Sequence, residues 1–296
     1  MKLQSPRLAG HMMALATAFV WGSTFICSKV MLAYYTPVQL MLMRFALGYV
    51  VLWLLRPRWL KFRLRQEFIF LAMGVLGCTL YFLAENNALH YTLAANVSII
   101  VALAPILTAI LAHIFTKDEK LHASVWYGFI CAMVGVALVV FNGTVVLHLD
   151  PRGDLLAFVA ALSWAGYSLL VKRCTDQVDS ILLARRVNFY GMLTGLPILF
   201  LRGEQHFPLE PLAEPQVWGS ILFLAVLGSA VCYVSWNLVV KYLGVVTANN
   251  YIYLQPFITI LVAFLLLKEP ISWMALVGAV LIIGGVILAS RRSAKK

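Results

Sequence analysis

The chain has 296 residues, of which 62% are hydrophobic and only 12% charged, with a mean hydropathy of +0.89. A soluble globular domain carries about twice that share of charge, so a water-soluble fold is excluded and an all-α polytopic membrane protein is indicated. The net charge of +11 lies between apolar segments, which points to membrane topology and lipid contact rather than to nucleic acid.

Apolar segments follow one another at 9–32, 37–55, 67–89, 94–115, 121–141, 154–171, 182–201, 217–240, 245–267 and 272–290. Each reaches the roughly 18 residues that a transmembrane helix requires, so ten transmembrane helices are expected. The first is too long, and too rich in Trp and Phe, for a cleaved signal peptide, and is expected to stay as the first span. With the N-terminus in the cytoplasm, eighteen of the 23 Lys and Arg residues fall on the cytoplasmic side. Only Lys29, Arg152, Arg202 and Lys268 fall on the other side, and Arg44 lies within the second span. This positive-inside bias puts both termini in the cytoplasm.

Little else in the chain suggests chemistry. Cys27, Cys78, Cys131, Cys174 and Cys232 are scattered through apolar runs without C-x-x-C spacing, which argues against a disulfide framework or a metal site. No H-E-x-x-H, G-x-S-x-G or phosphate-binding glycine loop occurs, so no enzyme activity, cofactor or direct use of ATP is expected.

The two halves repeat. WGSTFICSK (Trp21–Lys29) aligns with WAGYSLLVK (Trp164–Lys172), Trp on Trp and Lys on Lys. Further on, Asn86, Tyr91, Pro105, Thr108 and Lys117 align with Asn237, Tyr242, Pro256, Thr259 and Lys268. After a one-residue shift, Gly128 and Gly135 align with Gly278 and Gly285. The expected organisation is a first repeat at 1–141, a linker at 142–153 and a second repeat at 154–296. Five helices per repeat is an odd number, so the second copy enters the membrane from the opposite side. Inverted repeats of this kind are a frequent plan of secondary transporters; duplication kept only for packing is the blander reading.

These residues resemble the paired EamA domains of the drug/metabolite transporter superfamily. The resemblance rests on the Trp-bearing first helix, the A-L-x-Y-T segment (Ala88–Thr92) and the two proline-bearing helices. In each half the proline is followed by an acidic residue, Asp118 or Glu269, and a Gly-x6-Gly helix. Asp118 departs from the family's usual Glu. The resemblance covers nearly the whole chain and implies a ten-helix bundle around a central cavity that moves metabolites, often outward. It says little about which metabolite.

Within the spans, Glu85 is the one acidic residue away from the ends. Intramembrane charges face a bundle interior and mark functional paths. Arg44 lies at a similar depth below the same face, so a Glu85–Arg44 ion pair that only locks two helices is one reading. The other makes Glu85 a counter-charge for substrate or a proton-coupling site. Tyr81 lies one turn from Glu85 on the same face. Tyr233, Trp236, Asn237 and Val240 form a stripe on one helix, while Trp21 with Thr24 and Ser28 matches Trp164 with Tyr167 and Ser168. Aromatic walls with a few convergent polar groups suit a small organic ligand, although a single Trp near a membrane boundary is more often an interfacial anchor. The expected substrate site is Trp21, Tyr81, Glu85, Asn86, Asn96, Trp164, Trp236, Asn237 and Tyr253. Pro105 and Pro256 are expected to bend their helices as hinges, and Gly128, Gly135, Gly278 and Gly285 to serve close packing, within the subunit or in a homodimer.

The sequence therefore points to a secondary transporter of a bacterial inner membrane that exports a small polar metabolite, amino acids or their derivatives foremost. A proton-coupled exporter of cationic drugs is the runner-up, and a non-transporting scaffold or lipid-handling protein the alternative from another class.

Overall fold

The computed structural model describes residues 6–59, 61–91, 97, 100–116, 122–141, 150–267 and 272–290. They are helical apart from short connections, with no strand among the described residues. In chain order come α1 (Pro6–Leu32) and α2 (Pro37–Leu55), then α3, which runs as Leu64–Gly74, a π-helical stretch Val75–Leu80, and Tyr81–Tyr91. Next are α4 (Ala104–Phe115), α5 (Ala123–Phe141), α6 (Pro151–Cys174) and α7 (Ser180–Leu201). Helix α8 runs as Pro215–Leu222, a π-helical stretch Phe223–Val231, and Cys232–Leu243. Helix α9 runs as Val245–Asn250, a 3-10 turn Tyr251–Leu254, and Gln255–Leu267, and α10 is Trp273–Ser290. Among the described residues α1, α2, Leu64–Ala88 of α3, α6 and α8 are long and apolar enough to cross a bilayer; Ala104–Phe115, Ala123–Leu138 and Leu276–Ala289 are shorter apolar helices. Helix is the natural form for such segments, because in hydrocarbon every backbone polar group must be satisfied within its own segment.

Local sequence sets the helix ends. Thr36 caps α2 in a reciprocal capping box with Gln39, and Pro37 supplies a first-turn residue that needs no N–H. Asp150 and Asp179 cap α6 and α7 through their carboxylates. Helices α8 and α9 are joined by Gly244 alone, at φ +82°, a conformation that a side chain would oppose. The two matched prolines sit at or next to helix starts: Pro105 opens α4 after a turn, and Pro256 follows the 3-10 turn of α9. The expected bends are thus breaks in the helix rather than kinks within it.

The packing treats matched helices alike. Helix α1 lies on α8 and α9, while its repeat partner α6 lies on α3 and α4. Helices α2 and α7 pack on each other, and α5 pairs with α10. In that last pair Gly128 faces Gly285, and Gly135 faces Gly278, so the two helices cross antiparallel. Both π-helical stretches fall at the same repeat position, since the register that matches Asn86 with Asn237 also matches Gly77 with Gly228.

Candidate functional site

Where α1, α3, α6 and α8 converge, their aromatic residues meet. Trp21 and Trp164, matched in the sequence repeat, touch edge to face with ring centroids 5.1 Å apart. Trp236 lies 5.2 Å from Trp21 and 5.7 Å from Trp164, and Tyr81 lies 5.4 Å from Trp164. Tyr233 packs on Trp21 and Phe45, and Tyr167 on Trp164. Such pairs contribute about 0.5–1.5 kcal/mol each beyond area burial. The cluster is closed to solvent: Trp21 is 9% exposed, Trp164 6% and Trp236 1%.

Two of its polar atoms are bonded across the repeat boundary. Trp21 Nε1 donates to the carbonyl of Gly228 at 3.1 Å, and Tyr233 Oη to the carbonyl of Gly77 at 2.7 Å. Both acceptors lie in π-helical stretches, which recur at functional sites in helices. Trp164 Nε1 donates to Asn249 Oδ1 at 3.1 Å. Tyr167 Oη and Trp236 Nε1 are buried with no hydrogen-bond partner among the described residues, and a buried unpaired donor of this kind calls for a reason.

Two charges border the cluster. Tyr81 Oη donates to Glu85 Oε1 at 2.9 Å. Arg44 Nε donates to Ser229 Oγ at 2.8 Å, and its guanidinium carbon sits 4.5 Å above the centre of the Phe82 ring. Asn188 Nδ2 in turn donates to the Ser229 carbonyl, tying α2, α7 and α8 together. Arg44 and Glu85 form no ion pair within 4.0 Å, yet their charges are close enough to interact through space.

Of the residues expected at the site, Trp21, Trp164, Trp236, Tyr81 and, through Tyr81, Glu85 come together. Asn86 and Tyr253 are buried. Asn237 turns toward the start of α7, donating to the Ser180 carbonyl at 3.1 Å. Asn96 lies outside the described residues. Sequence reasoning passed over Asn249, Ser229, Phe45 and Phe82. It placed Tyr167 and Tyr233 on the right helix faces without adding them to the site.

Each end of the bundle is clasped beyond this cluster. At the α1–α2 end, Thr36 Oγ donates to Glu204 Oε2 at 2.5 Å, and Gln39 Nε2 donates to the carbonyls of Glu204 and His206. Tyr35 Oη donates to the Pro208 carbonyl at 2.8 Å. Burial first, and then the Glu210 charge, hold that hydroxyl above its usual pKa, so it stays a donor. At the other end of α2, Arg185 donates to the carbonyls of Arg56 and Arg58, and Arg56 pairs with Asp179 at 3.4 Å. The clasps correspond: Thr36 and Asp179, the N-caps of matched helices α2 and α7, each grip the loop that follows the other helix. A cleft of about 430 Å³ lined by Tyr34, Thr36, Asn87 and Arg202 opens beside the first clasp. One of about 310 Å³ lined by Asp179, Val234 and Lys241 opens beside the second. Among the described residues no group of three His, Cys, Asp or Glu side chains is placed to hold a metal, and all five cysteines are free.

Comparison with known proteins agrees with this architecture. The chain is 29% identical over 291 residues to the uncharacterized transporter YyaM of Bacillus subtilis (strain 168), covering 95% of this chain and 93% of that one. It is 27% identical over 281 residues to a protein of Streptantibioticus cattleyicolor named probable terminal-alkyne amino-acid exporter, covering 94% and 92%. A solved crystal structure superposes with a TM-score of 0.78 over 96% of this chain and 99% of the other, at 17% identity, which speaks to fold alone. The model of the EamA-like transporter family matches twice, at residues 8–141 and 151–291. The chain is thus a multi-pass membrane protein with a transporter's architecture, and it belongs to the EamA-like transporter family.

Proposed function

We infer that this transporter works by alternating access, as a ten-span protein of a bacterial inner membrane with both termini in the cytoplasm. Its two five-helix repeats, 1–141 and 154–296 around a linker at 142–153, are inverted relative to one another and act on a substrate held between them. It exports a small polar metabolite, an amino acid or a derivative of one. The observation that carries this reading is the contact of Trp21 with Trp164 in a closed aromatic cluster, in a bundle with two corresponding clasps. The antiparallel crossing of α5 and α10 supports the inversion. If Gly128 corresponds to Gly278 and Gly135 to Gly285, a two-fold axis perpendicular to the helices turns the Gly128–Gly285 contact into Gly278–Gly135, the other contact found there. Closing one clasp while opening the other then converts one access state into its mirror. The breaks at Pro105 and Pro256 are the hinges of that exchange. The amino-acid preference draws support from the Streptantibioticus relative's name.

A second reading, export of cationic drugs in exchange for protons, is favoured by the buried Glu85 alone. Substrate counterflow in proteoliposomes, run over a panel of amino acids and organic cations for the wild type and Glu85→Gln, separates the two. Amino-acid exchange is expected. Exchange confined to organic cations and lost in Glu85→Gln would establish the drug reading, and no flux of any compound by well-folded protein would remove the transport mechanism altogether.

A further inference from the structure

Arg44 is the unexplained charge in the bundle. It is 3% exposed, and only its Nε is spoken for, by Ser229. Among the described residues its two Nη groups have neither a hydrogen-bond nor an ion-pair partner. A buried guanidinium without a hydrogen-bonded counter-charge is costly, and its stacking on Phe82 recovers only part of that. Its position is specific. Nη2 lies against Gly228, where an added Cβ would come within 3.0 Å of it, and the Gly228 carbonyl is the atom that holds Trp21. The guanidinium therefore adjoins the aromatic cluster. Tyr81 packs on the same Phe82 ring at 5.1 Å and holds one oxygen of Glu85, leaving the second oxygen without a hydrogen bond among the described residues. A cation and an anion, each with free hydrogen-bonding capacity and not paired with one another, thus flank one wall of aromatic rings.

We propose that Arg44 receives the carboxylate of a zwitterionic substrate, Glu85 its ammonium group, and the Trp21–Trp164–Trp236 wall its apolar side chain. The assignment rests on the reading of the central cluster as the substrate site and narrows it to the class of α-amino acids with apolar or aromatic side chains. Arg44 presents the fork of donors that a carboxylate accepts in pairs. A bound carboxylate also gives Arg44 a hydrogen-bonded counter-charge, which Glu85, more than 4.0 Å away, does not. A cationic drug would leave Arg44 unpaired and place a second positive charge beside it, which disfavours that substrate class.

The test uses the full-length protein in liposomes and drives counterflow of radiolabelled L-phenylalanine with four unlabelled compounds. These are L-phenylalanine, its methyl ester, N-acetyl-L-phenylalanine and phenethylamine. Wild type should respond to the free amino acid at least tenfold better than to the ester or the amine, which lack the carboxylate, and better than to the N-acetyl compound, which lacks the ammonium. Arg44→Gln should cut exchange of the free amino acid at least tenfold while raising the ratio of ester to acid, and Arg44→Lys should restore part of it. Ester or amine driving exchange as well as the acid in wild type would overturn the role of Arg44 and leave transport standing. N-acetyl-L-phenylalanine doing so would overturn the role of Glu85. A protein that moves no labelled L-phenylalanine but does move an organic cation would overturn the zwitterion assignment; one that moves neither would overturn the transport mechanism with it.

Discussion

Tyr81 gives Glu85 its one hydrogen bond among the described residues, across 2.9 Å, with Glu85 buried and Tyr81 partly so. Removing a donor from a buried charged acceptor costs about 1.5–3 kcal/mol, so Tyr81→Phe should lower the thermal stability of the purified protein by that order. Tyr34→Phe, whose hydroxyl reaches Glu214 at an exposed site across 3.3 Å, should leave it nearly unchanged. Equal melting temperatures for Tyr81→Phe and wild type would mean that the bond is not made. The sequence showed Tyr81 and Glu85 one turn apart, and that local relation is what helical periodicity delivers. The surroundings of Arg44 were not legible in the same way. Matching charge and depth offered Glu85 as one possible partner for Arg44; α8 crosses α2 so that Ser229 meets Nε, and the ring of Phe82 takes the face of the guanidinium. Which side chain a long, flexible cation reaches depends on helix crossing, and the order of residues along one helix does not encode that.

The pair α5–α10 shows how small residues set the distance between two elements. A Cβ on Gly135 would lie 2.5 Å from the Gly278 carbonyl oxygen and 2.8 Å from the Ile282 nitrogen, both backbone atoms that cannot step aside. Gly284, one residue from the contact, has open space around it. Alanine should therefore have opposite effects at the two sites. Gly135→Ala is expected to destabilise by about 1–3 kcal/mol through overpacking. Gly284→Ala should be neutral or slightly stabilising, because alanine is the better helix former by about 1 kcal/mol. Thermal unfolding in one detergent compares them directly, and equal shifts would mean that the two helices do not approach as described. Glycine spacing in the sequence marked both helices as packing surfaces, but their choice of one another is a property of the assembled bundle. Asn249 was missed for a similar reason. Asn250 stands beside it with the same chemistry, and only the approach of α6 to α9 selects Asn249 to hold Trp164.

At the scale of the whole molecule, the sequence repeat already implied two halves, and the matched breaks at Pro105 and Pro256 and the matched π-helical stretches follow its register. What the repeat could not indicate was the pair of clasps, which join loops that differ in length and composition between the halves. Arg185 dominates the clasp at the far end of α2, and Arg185→Ala deletes its bonds to the Arg56 and Arg58 carbonyls. That end should open more often. Labelling of Cys174, buried where α6 ends at the α6–α7 turn, by a water-soluble maleimide should then accelerate roughly tenfold, the factor carried by about 1.4 kcal/mol. An unchanged rate would mean that Arg185 does not hold this end shut.

The central claim is reciprocity, that one end opens as the other closes. It is tested most directly by electron–electron distance measurements on the protein in lipid nanodiscs, with its native cysteines replaced. One spin-label pair spans the first clasp at Ala33 and Gln205, and a second pair, in a separate sample, spans the other at Arg58 and Gln177. Introducing Arg185→Ala into both samples should lengthen the Arg58–Gln177 distance and sharpen the Ala33–Gln205 distribution at its short, closed value. If both distances lengthen together, or the first pair stays broad while the second opens, the two halves do not exchange conformations and the alternating-access account is wrong.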